Sequence, residues 1–107
     1  MKEELIGYIQ ERIAWHQQEQ AQLKKAYRAD EAVHMQIAVN VYNIFLSIYQ
    51  AVKYDLDETV KRFSGIIGTW DASHRKAYEH GDTEKMLIET IKIERATEIL
   101  RRAKELE

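Results

Sequence analysis

The chain has 107 residues, 32% of them charged, and its bases so nearly balance its acids that the formal charge is −2. It contains no cysteine and no proline, which excludes a disulfide framework and a thiolate metal site and, with only four glycines, favours long helices. Near-neutrality leaves no electrostatic footprint for nucleic acid, and the length supports one helical domain over residues 1–107. The N-terminus, Met1 to Tyr8, lacks the basic-then-apolar pattern of a signal peptide, so the expected location is the cytoplasm.

Apolar periodicity predicts four helices. The first covers residues 2–28, where Leu5, Ile9, Ile13, His16, Gln20, Leu23 and Tyr27 recur at spacings of three and four. Lys24, Lys25 and Arg28 complement its C-terminal dipole. Asp30 and Glu31 supply an N-cap and an acidic first turn for a second helix reaching residue 52. No glycine or proline lies between Arg28 and Ala32, so one continuous helix of about 50 residues is the alternative. Asp55-x-x-Glu58 has the form of a capping box and opens a third helix that runs to residue 80. Its stripe is Leu56, Val60, Phe63, Ile67, Trp70, His74 and Ala77, with Gly65, Gly68 and Ala72 on the back, where a helix backbone could approach closely. Gly81 reads as the residue just past its end and Asp82 as the N-cap of the fourth helix. That helix is two-sided, with Leu87, Ile88, Ile91, Ile99 and Leu106 on one side and Met86, Ile93, Leu100 and Ala103 on another. The expected fold is all-α: an antiparallel four-helix bundle, or long helical hairpins that complete a bundle by dimerising.

The second helix carries the main partner signal. Residues 32–52 hold no formal charge, and at 100° per residue apolar groups cover about two-thirds of the circumference. Val33, Ile37, Val41, Ile44 and Ile48 form one band; Tyr42, Phe45, Leu46 and Tyr49 lie well around from it. Leaving the second set in water would expose a patch that monomers avoid, so these four are the expected interface of a homo-oligomer, a dimer by preference. The alternative is a central helix covered by the other three. A membrane span is rejected: one histidine and five amide or hydroxyl side chains are costly in lipid, and no aromatic-and-basic belt flanks the segment.

A second reading rests on histidines. His34 and His74 lie on inward stripes at nearly the same height in a hairpin, each with a carboxylate three residues earlier, Glu31-x-x-His34 and Asp71-x-x-His74. Carboxylate-x-x-His on facing helices is how bundle cores build di-iron sites, so His34, His74, Glu31 and Asp71 are the candidate ligands of a divalent metal. The pattern is incomplete, because the two motifs fall on consecutive helices and the first helix offers no inward glutamate. His16, about 12 Å from that layer by helix rise, stays outside the set. Asp55-x-x-Glu58 and Glu79-x-x-Asp82 have the outline of a paired magnesium motif but lie over about 30 Å apart on a straight helix. Neither a phosphate-binding glycine loop nor a nucleophile turn is present. The expected function is therefore non-catalytic, through protein–protein contact as an oligomeric adaptor, regulator or inhibitor. The alternatives are a metal-binding bundle protein, an enzyme if the metal is catalytic, and, last, a nucleic-acid-binding regulator.

Overall fold

The computed structural model describes residues 1–107 and contains four helices: α1 (Lys2–Lys25), α2 (Ala29–Ala51), α3 (Leu56–Glu79) and α4 (Thr83–Leu106). The links between them are too short to do anything but fold each helix back on its predecessor, giving an up-down bundle. The predicted caps on α3 and α4 are present. An Asp55 carboxylate oxygen accepts the Glu58 amide at 3.1 Å, and Asp82 accepts the Lys85 amide at 3.1 Å. The return arm of the capping box is missing, since the Glu58 carboxylate turns to Arg62, 3.1 Å away.

The junction of α1 and α2 differs from the expectation. Ala29 is already helical, so Asp30 does not cap α2 but sits with Glu31 in its first turn. The helices are separate because Tyr27 adopts φ 58°. The Arg28 amide then donates to Leu23 at 2.9 Å and the Tyr27 amide to Lys24 at 3.1 Å, satisfying carbonyls that the helix end leaves open. The same closure ends α2 at Lys53 (φ 56°) and α3 at Gly81 (φ 69°). Of the three, only Gly81 lacks a Cβ to crowd the carbonyl in that conformation. Lys53→Gly is expected to stabilise the fold by about 0.5–1 kcal/mol, the steric relief outweighing the extra freedom of the unfolded chain. A urea midpoint that stays put or falls counts against this.

α2 and α4 occupy the middle of the bundle. They run parallel and touch each other, α1 packs on α2 and the edge of α4, α3 packs on α4 and the edge of α2, and α1 never meets α3. The result is a plate of 38 × 35 × 22 Å. Its radius of gyration, 14.7 Å, exceeds the roughly 13 Å of a globular domain this long. Alanines permit the central contact: Ala38 on α2 and Ala96 and Ala103 on α4 are all buried in the core cluster. Into the space they leave, α2 and α3 place an aromatic row, with Phe45 edge-on to Phe63 at 5.2 Å and Phe63 edge-on to Trp70 at 6.3 Å.

This arrangement corrects the interface expected on the second helix. Tyr42, Phe45 and Tyr49 are at most 1% exposed within a single chain, and Leu46 is half-buried against the same core. The apolar excess of α2 is absorbed by α1, α3 and α4; α2 is the central helix. On α3 the predicted stripe is inward, with Phe63, Trp70 and Ala77 buried and Leu56, Val60, Ile67 and His74 half-buried. Gly65 and Gly68 face open space, so no helix of this chain uses the smooth back of α3.

Candidate functional site

Where α1, α2 and α4 meet, polar side chains penetrate the core. Tyr8, Arg12 and His16 follow one another at i, i+4 and i+8, so they project from one face of α1. Opposite stand Tyr42 on α2 and Arg95 and Glu98 on α4. The hydroxyls of Tyr8 and Tyr42 both donate to the same Glu98 oxygen, at 2.6 and 2.9 Å. Arg12 lies 3.3 Å from that oxygen and donates to the Tyr42 hydroxyl at 3.4 Å, while Arg95 reaches the other oxygen at 3.5 Å.

The electrostatics follow from this geometry. Burial pushes Glu98 up, but the two hydroxyls and the Arg12 and Arg95 guanidinium groups outweigh it and hold the carboxyl below its ordinary value. Burial and the adjoining carboxylate push Tyr8 above its usual range, and burial also raises Tyr42 against the opposing pull of Arg12. Glu98 is thus ionised and both phenols are protonated at neutral pH, every group already committed to a neighbour. Such a cluster clamps three helices in register; it offers no free acid–base pair.

Beside it lies a cleft of about 280 Å³ lined by His16, His34, Met35, Ala38, Ile91, Glu94 and Arg95. His16 is 2% exposed. Its Nδ1–H donates to the Arg12 carbonyl at 2.7 Å. Burial, reinforced by the Arg12 and Arg95 charges, holds its pKa below the ordinary value, and the ring stands neutral. Helix rise puts His16 about 12 Å from His34 only if the chain reverses near residue 29. With the turn at Tyr27, His16 lies 11 residues before it and His34 only 7 after it, an offset of about 6 Å along the axis.

The proposed metal set is not assembled. No three histidine, aspartate or glutamate side chains converge where an ion could sit, so His34, His74, Glu31 and Asp71 do not form a ligand shell. Glu31 instead pairs with Arg28, and Asp71 is exposed. α2 and α3 do touch where Phe45 meets Phe63, but His34 lies against α4, lining clefts with Leu87 and Ile91. Elsewhere in the core, Glu89 is 4% exposed with one oxygen unpartnered, its other oxygen 3.1 Å from Lys92.

A wider groove, about 560 Å³, opens where α2 and α4 begin, lined by Asp30, Val33, His34, Thr83, Glu84, Leu87 and Ile88. Val33 is 56% exposed and Leu87 48%. Both helices start at this end of the bundle, the end that also carries Tyr27 and Tyr78, 96% and 69% exposed. Four of the seven large exposed apolar side chains therefore cluster here. Periodicity placed Val33 and Leu87 on apolar bands of their helices and could not show that both stay open to water at this end. At the opposite end, a smaller hollow of about 370 Å³ has an apolar floor of Leu56, Val60, Leu100 and Ala103. No helix is long and apolar enough to cross a membrane. Comparison with protein-family models, curated proteins and solved structures finds no match for this chain.

Proposed function

We propose that the protein acts by contact with another polypeptide, as an adaptor, regulator or inhibitor of the cytoplasm, and performs no chemistry of its own. One observation carries this reading: Val33 and Leu87 face water across a groove rimmed by Asp30 and Glu84, neither of which has an ion-pair partner in the chain. Aliphatic side chains exposed on both walls of a groove lose contact with water favourably when a partner covers them, at about 25 cal/mol per Å² before the costs of association. The polar cluster, by contrast, is closed on itself.

The test is crosslinking in living cells. Leu87→p-benzoylphenylalanine places a photoreactive side chain on the groove, and the same change at Gln18 places it on the exposed face of α1. Light is expected to produce covalent protein adducts from position 87 and none from position 18. Equal adduct formation at both positions, or none at either, overturns the proposal.

A further inference from the structure

We infer that the partner seated in this groove is a second copy of the chain, with Tyr27 of each copy lodged between Val33 and Leu87 of the other. This rests on the proposed function and names its partner. Tyr27 is the most exposed of the chain's large apolar side chains, at 96%, and it stands at a turn that a glycine would close with less strain, as Gly81 does at the end of α3. Its ring takes part in none of the aromatic or cation–π pairs that engage Trp15, Tyr42, Tyr49 and Tyr54. Within its own chain the aromatic ring has no packing role.

Charge matches the shape. Lys24 and Lys25 flank Tyr27 in the last turn of α1 and pair with no acid in the chain; Arg28 is taken by Glu31. The groove presents Asp30 and Glu84, unpaired as well. Two free bases beside the projection thus face two free acids beside the hollow. Both elements lie at one end of one molecule, as a two-fold interface requires: the same patch must hold both the projecting and the receiving part, and each contact is then made twice.

Reversing the charges tests this directly. Wild-type protein at tens of micromolar is expected to scatter light as twice the 12.7 kDa chain. Lys24→Glu with Lys25→Glu puts acids on both halves of each contact, and Asp30→Lys with Glu84→Lys puts bases on both. Each double variant alone should run as a monomer with unchanged helical circular dichroism, and an equimolar mixture should recover the dimer mass, because both contacts are again attractive. Tyr27→Ser should weaken the wild-type dimer by at least about tenfold in Kd, with the helix content retained. A wild-type monomer at this concentration, or a dimer indifferent to all these changes, overturns the inference. If position 87 then still crosslinks to a different protein, the inference fails alone; if it crosslinks to nothing, the proposed function fails with it.

Discussion

Glu98→Ala is expected to destabilise the fold by about 3 kcal/mol, close to the upper end for a single polar substitution. The carboxylate is 15% exposed and accepts two phenolic hydrogen bonds while facing two guanidinium groups. Its removal strands the Tyr8 and Tyr42 hydroxyl donors, takes the anion from Arg12 and leaves Arg95 only the Glu94 carboxylate at 4.0 Å. Both arginines retain about 30% exposure, so water recovers part of their solvation and the loss stays below that of a fully buried pair. Glu98→Gln, which keeps the shape and one acceptor, should lose less. Chemical denaturation of the three proteins at neutral pH checks the order wild type, glutamine, alanine; equal stability would mean that the cluster holds nothing together.

The same residue sets a pH dependence whose sign follows from its depressed native pKa. The unfolded carboxyl titrates near its ordinary value of 4.5 and the folded one below it. Between those values the unfolded state binds the extra proton, so the contribution of Glu98 is complete above the ordinary value and disappears as pH falls through the native one. Wild-type stability should therefore drop more steeply than that of Glu98→Gln on acidification below pH 4.5, and the two curves should converge once Glu98 is protonated in the folded state.

Local features of the fold were legible because their causes are local. Asp55, Asp82 and Gly81 act within three or four residues of themselves, and the α3 stripe needs only helical periodicity. Non-local features were not. Tyr8 and Glu98 meet across 90 positions, and nothing in either neighbourhood marks the other as its partner. Tyr27 closes α1 in a conformation that favours glycine, and the position of that turn brings His16 and His34 onto one cleft. The charge-free α2 was correctly seen as wrapped on more than one side. Whether the wrapping came from a second molecule or from the chain itself depended on the alanines of α4, whose smallness lets two central helices meet and turns a surface band into core.

That distinction decides how Phe45→Ala should behave. An interface phenylalanine, once truncated, would shift the dimerisation equilibrium and leave the isolated subunit intact. Phe45 is fully buried in the single chain, edge-on to Phe63 at 5.2 Å and 5.8 Å from Tyr49. Its loss should instead cost about 3–5 kcal/mol, the transfer of the ring plus the cavity that the flanking aromatics fail to fill. Against a total stability of about 5–15 kcal/mol for a domain, that is enough to bring the fold close to its limit at physiological temperature. Urea unfolding at two protein concentrations separates the cases. The loss attributable to Phe45 should be the same at both, since the ring is packed before any partner arrives. A loss that vanishes at the lower concentration would return Phe45 to the surface and α2 to the role of an interface.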